Sequence, residues 1–160
     1  MMYLFYGSAF VSIVATLLTI TRINVVHALL YFITSLLALA VIFYSLGAHF
    51  AAALEVIVYA GAIMVMFLFV MMMLNLGKTT EEQERVWMQP GIWIGPAILT
   101  APLLVELLMV INTTGQTMAH TVVAAKDVGI DLFGPYVLAV ELASMLLLAG
   151  LVGAFHLARK

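Results

Sequence analysis

Five apolar segments alternate with brief polar breaks along this chain, roughly Met1 to Ile20, Val25 to Leu46, Ala51 to Leu76, Gly91 to Ile111 and Tyr136 to Leu157. Each is long enough to be a membrane span, because about 20 apolar residues rising 1.5 Å apiece cross the ~30 Å hydrocarbon layer. Inside hydrocarbon a chain must pair its own backbone N–H and C=O groups, so the segments are predicted as helices. The pattern predicts an all-α polytopic membrane protein with five transmembrane helices, forming a single membrane domain over residues 1–160.

The breaks refine this picture. Thr21-Arg22-Ile23-Asn24 joins the first two spans, with Asn24 placed to cap the second, and Gly47-Ala48-His49-Phe50 joins the next two. Connectors this short make neighbouring spans antiparallel. The break from Gly77 to Pro90 carries Lys78, Glu81, Glu82, Glu84 and Arg85 and reads as a solvated loop, with Trp87 and Trp93 flanking it as interfacial anchors. In the break from Asn112 to Pro135, the polar half around Thr113-Thr114-Gly115-Gln116 gives way to a stretch from Lys126 to Asp131 suited to the membrane surface. The N-terminus has no basic region and no small-residue cleavage site before Arg22, so the first span is expected to be retained. Arg22, Lys78, Arg85, Arg159 and Lys160 fall on one side of a five-span topology and only Lys126 on the other. That bias predicts an N-terminus outside and a cytoplasmic C-terminus.

Composition narrows the chemistry. Of 160 residues, 66% are hydrophobic and 9% charged, which excludes a soluble globular domain. No cysteine is present, which removes disulfides, thiol catalysis and Cys-ligated iron–sulfur clusters. A net charge of −2 spread over connectors offers no basic patch, so no nucleic-acid partner is expected. The histidines lack a second ligand at helical spacing, and no phosphate loop or hydrolytic triad appears. Pro96 and Pro102 predict bending in the fourth span.

The polar residues inside the spans remain to be explained. Counted from the outer helix ends, Glu55 lies four residues into the third span, Glu106 five into the fourth and Glu141 five into the fifth. All three therefore lie about 6–8 Å deep and are able to share one layer. Ionisable groups cost at least ~2.5 kcal/mol near the membrane centre, so they usually face a bundle, a partner or a water cavity. The plain alternative for each is contact with interfacial water or a helix cap. Glu55 and Tyr59 make the sharper pair, since a spacing of four places them on one α-helical face, followed by Ala62 or Ile63 and Met66. A carboxylate held away from water and a phenol together suit a proton route, although a tyrosine in a span also serves simply to bond a neighbouring helix. Gly61, between Ala60 and Ala62, reads equally as a notch for close helix packing or as a place where the ladder slips into a π-bulge.

Three stretches carry a resemblance to a known family. The run from Glu55 to Gly77, EVIVYAGAIMVMFLFVMMMLNLG, the run Val26 to Tyr31, VHALLY, and the run Leu132 to Gly150, LFGPYVLAVELASMLLLAG, together resemble the subunit J family of bacterial NADH-quinone oxidoreductase, respiratory complex I, the counterpart of mitochondrial chain 6. The chain departs from the family in reading Asn24-Val25-Val26-His27 where Asn-Pro-Val-His is common, and Glu106 falls in no family motif. The resemblance implies a membrane-arm subunit of the bacterial inner membrane with no redox centre of its own and no catalysis alone. It implies that NADH, FMN, iron–sulfur clusters and quinone are handled by other subunits. Its partners would be lipid, the small subunits beside it, the quinone-site subunit and the antiporter-like pumps. It further implies that the third helix carries a π-bulge and rotates, assigning Gly61 and Tyr59 to a switch and Glu55 to its lining, while the proton passes mainly along carboxylates of neighbouring subunits; Glu55, Tyr59 and Glu141 are this chain's candidates for the proton path or for coupling. A subunit of a cation/proton antiporter or membrane-bound hydrogenase complex would share the third-helix motif. A stand-alone transporter would need a complete midplane site, usually on inverted repeats, and none is visible. A scaffold without coupling function is the remaining alternative.

Overall fold

The computed structural model describes residues 2–74, 90–113 and 122–159. The expected solvated loop with Trp87 and its charges, the Thr114-Gly115-Gln116 stretch and Lys160 lie outside the described residues. Every regular element among the described residues is helical. In order these are α1 (Met2–Thr21), α2 (Val25–Ser45), α3 (His49–Leu54), a π-helical segment (Glu55–Ile63), α4 (Met64–Leu74), α5 (Pro90–Thr113), α6 (Ala125–Phe133) and α7 (Val137–Ala158). Five stretches are long and apolar enough to span a membrane: Met2–Thr21, Val25–Ser45, His49–Met73, Gly91–Met109 and Val137–Ala158. The third is composite, with α3, the π segment and α4 running on as one span.

Local chemistry sets the turns. Asn24 is the N-cap of α2, its side-chain oxygen accepting from the N–H groups of Val26 at 3.0 Å and His27 at 3.4 Å. At the other end of α2, Gly47 has φ 84°, where a side chain would be strained. The Gly47 N–H reaches the Tyr44 carbonyl at 3.0 Å and the Ala48 N–H reaches that of Phe43 at 3.0 Å. This pairing closes the helix by a Schellman motif and turns the chain sharply into α3.

The chain divides into two compact units, Met1–Val122 and Val123–Lys160. In the first, α2 is the central helix. One face of it meets α1 and α5 in a cluster of Val11, Ala38 and Leu103, with Leu37, Val41 and Leu99 around it. The other meets the third span through Leu29, Leu36 and Met64, flanked by Phe32, Ile33, Ala60, Leu68 and Met71. Apolar burial drives little association inside lipid, so close packing and interhelical hydrogen bonds carry it. Ala15 and Ala38, fully buried, provide the packing. Ser12, Thr16 and Ser35 provide the bonds, with the Thr16 and Ser35 hydroxyls 2.8 Å apart and those of Ser12 and Ser35 3.3 Å apart.

The second unit pairs α6 with α7 across a turn at Gly134, where the Tyr136 N–H donates to the Asp131 carbonyl at 3.1 Å. The surface stretch expected around Lys126 to Asp131 is a helix. Within this unit no residue of α7 is buried.

Candidate functional site

The third span is where backbone and side-chain features coincide. Its π segment begins at Glu55, contains Tyr59 and Gly61, and ends at Ile63. Glycine suits such a segment because wider turns bring side chains against carbonyls: a Cβ at residue 61 would lie 3.2 Å from the Val56 carbonyl oxygen, five residues earlier.

The π ladder changes which residues share a face. Along this span the residues turned inward are Glu55, Ala60, Met64, Leu68 and Met71. The step after Glu55 is five residues, followed by steps of four, four and three. Glu55 is 7% exposed, whereas Tyr59, four residues on, is 53% exposed, and Ala62, Ile63 and Met66 are exposed with it. The shared α-helical face expected for Glu55 and Tyr59 is therefore not present in this register. The physical reason is the extra residue per turn, which puts Ala60 where an α-helix would put Tyr59. Each residue taken out of such a segment turns the remainder of the helix by about 100°, since an α-helix has 3.6 residues per turn.

The remaining carboxylates are held differently. Among the described residues none donates a hydrogen bond to the Glu55 carboxylate. Glu141, on α7, is exposed within the second unit, where the Ser144 hydroxyl bonds its backbone carbonyl at 2.7 Å. Glu106 accepts a 2.7 Å hydrogen bond from Ser8 of α1, which is fully buried. It also lines a groove of about 800 Å³ between the third span and α5, walled mainly by alanine and leucine, with Tyr44 and His49 among its few polar groups. Nothing in the local sequence around Ser8 points to Glu106. The signal for Ser8 itself is the run of hydroxyls at positions 8, 12 and 16, which places one polar stripe along a face of α1.

A multi-pass membrane protein with one span broken by a π segment around an intramembrane carboxylate is the class these features define. The chain belongs to the NADH-ubiquinone/plastoquinone oxidoreductase chain 6 family, whose profile matches residues 15–157. It is 62% identical to NADH-quinone oxidoreductase subunit J of Pseudomonas aeruginosa, over all of this chain and 98% of that protein. It is 60% identical to the subunit J of Escherichia coli, over all of this chain and 88% of that protein. A more distant subunit J, from Buchnera aphidicola of Baizongia pistaciae, is 38% identical over 99% of this chain.

Proposed function

We propose that this chain is a membrane-arm subunit of a proton-pumping NADH:quinone oxidoreductase, in which its third span couples quinone reduction to proton movement. Full-length identity of 62% to a subunit J carries the assignment to the complex. The π segment from Glu55 to Ile63 supports the coupling role. A π segment and an α-helix are two hydrogen-bond registers open to one sequence, and a two-state element needs its states within a few kcal/mol of each other.

In the π register Glu55 is buried and Tyr59 lies outside the inward face. Conversion to an α register would bring Tyr59 toward the face of Glu55 and move Ala60 away. The phenol would then complete or break a hydrogen-bonded path at the carboxylate, and the part of the span beyond Gly61 would rotate with it. Glu55 holds and releases the proton, Tyr59 gates it, Gly61 permits the change of register, and Glu141 on the fifth span supplies a further carboxylate.

The chain works as one five-span membrane domain of the bacterial inner membrane, N-terminus outside and C-terminus cytoplasmic. It is not catalytic alone and holds no redox centre; its lack of cysteine supports the absence of a Cys-ligated cluster. NADH, FMN, iron–sulfur clusters and quinone lie on other subunits. Its neighbours are the small membrane subunits, the quinone-site subunit, the antiporter-like pumps and lipid. Purification of the intact complex in mild detergent, with identification of its chains and assay of NADH:quinone activity, tests the reading. Co-purification with hydrogenase or cation/proton antiporter subunits instead would overturn it.

A further inference from the structure

Glu106 is the intramembrane carboxylate that the coupling scheme leaves unused. Among the described residues it is also the one of the three whose carboxylate is hydrogen-bonded by its own chain. The seat that receives it consists of two consecutive residues of α1. Ser8 donates to Oε2 at 2.7 Å, the ordinary length for a hydroxyl donor to oxygen. A Cβ at residue 7 would collide with Oε1, so Gly7 is what lets the carboxylate reach Ser8.

A second seat lies farther along the same span. The phenol oxygen of Tyr31, a buried residue of α2, occupies the place where a Cβ of residue 95 would stand, so it is glycine there that admits the ring. Residues 95 and 106 are about 16 Å apart along the axis of α5 at 1.5 Å per residue. Pro96 and Pro102 fall between them. Each proline withdraws the N–H that the carbonyl four residues earlier, Ile92 or Ile98, would accept, so this stretch of helix is the part most open to bending. Seats on both sides of the prolines hold α5 to α1 and to α2.

Across the groove the third span packs on α2 through the Leu29, Leu36 and Met64 cluster. One wall of the groove is thus tied by the Ser8–Glu106 bond and packed closely against Tyr31 at Gly95, and the other contains the π segment. A proton wire along α1 from the Glu106 seat is disfavoured by packing: the next hydroxyl on α1, Ser12, is one turn away, and the buried Val11, Ala38 and Leu103 pack at that level.

We propose that Glu106 is a positioning residue, which as a hydrogen-bond acceptor seated on Gly7 and Ser8 fixes the fourth span as a stationary wall opposite the π segment. This rests on the coupling role proposed above for the third span. The acceptor matters and the charge does not. Glutamine retains a carbonyl acceptor of the same reach, so Glu106→Gln in the intact complex should keep quinone-linked NADH oxidation and proton transport within about twofold of the parent. Glu106→Ala, Ser8→Ala and Gly7→Val should each lower both by roughly threefold or more, because each breaks the seat. The double variant Ser8→Ala with Glu106→Ala should be no worse than Glu106→Ala alone, as two halves of one interaction are not additive.

Loss in Glu106→Gln equal to that in Glu106→Ala, with the complex assembled, would make Glu106 a proton carrier and overturn the proposal. Parent-like activity in all three seat-breaking variants would overturn it too. Should Glu106→Ala fail to assemble on a native gel, assembly and activity of Glu106→Gln still support the seat, and failure of both overturns it. Absence of NADH:quinone activity in the parent complex would count against the proposed function, while the amount of assembled complex in each variant reports on the seat alone.

Discussion

Glu55, Glu106 and Glu141 carry the same functional group at similar expected depth, yet the structure separates them by environment. Glu55 is buried without a donor among the described residues, Glu106 is tied to Ser8, and Glu141 is exposed within the second unit. A group that must take up and release a proton gains from having no fixed donor, whereas a group that fixes geometry needs one. Glu55→Gln and Glu141→Gln are therefore expected to reduce coupled activity more than Glu106→Gln. The loss should be partial, about tenfold or less, equivalent to ~1.4 kcal/mol on the barrier at most, because carboxylates of neighbouring subunits remain. Quinone-linked turnover and proton uptake in membrane vesicles measure this ranking, and equal, complete loss in all three variants with assembly intact would contradict it. Tyr59→Phe isolates the hydroxyl: it should slow proton transport and quinone-linked turnover together while leaving NADH oxidation by artificial acceptors at the parent rate. The residue scale was legible where chemistry is local. Asn24 was readable as a cap because its partners are two and three residues away. The Ser8 to Glu106 bond was not, since 98 residues separate the pair and only the folded bundle brings them together.

At the scale of the element, the third span shows why hydrophobic period alone is insufficient. Its length, its apolar run and the Ala60-Gly61-Ala62 notch were all visible in the sequence, and the resemblance implied a π-bulge. An α-helical period nevertheless pairs Glu55 with Tyr59, while the folded span pairs Glu55 with Ala60. A single residue of register decides whether the phenol lies beneath the carboxylate or outside it, and no side-chain pattern in so uniformly apolar a stretch selects between them. Gly61 is the point at which substitution should select. A Cβ here meets the Val56 carbonyl at 3.2 Å, so the neighbouring backbone must give by a few tenths of an ångström, and a β-branched side chain adds restriction of its own. Gly61→Val is expected to disfavour the π register, leave the complex assembled with normal NADH oxidation by artificial acceptors, and lower quinone-linked turnover and pumping in parallel. Gly61→Ala should do the same to a smaller degree, since alanine also gains about 1 kcal/mol over glycine as a helix former. Unchanged turnover and pumping in a fully assembled Gly61→Val complex would reduce the glycine to a packing notch.

For the whole molecule, the length of a span is set by hydrocarbon thickness and five apolar runs of that length are readable in the sequence, whereas the side of the membrane on which each end lies depends on the charges between them. Lys and Arg near span ends resist translocation, and in this chain Arg22, Lys78, Arg85, Arg159 and Lys160 outnumber Lys126 five to one across the proposed topology. Odd span number then places the two termini on opposite sides, with His156 and Arg159 closing α7 at the end where cations suit the helix dipole. The proposed orientation matters for mechanism because it would place Glu55, Glu106 and Glu141 nearer the outer surface, each with a short way out and a long way in for a proton. The chain has no cysteine of its own, which makes the test direct. Single substitutions Lys78→Cys and Lys126→Cys should react with a membrane-impermeant maleimide from opposite sides, Lys126→Cys in intact spheroplasts and Lys78→Cys only in inverted vesicles. Labelling of both from one side would remove the five-span topology and, with it, the common depth on which the carboxylate layer depends.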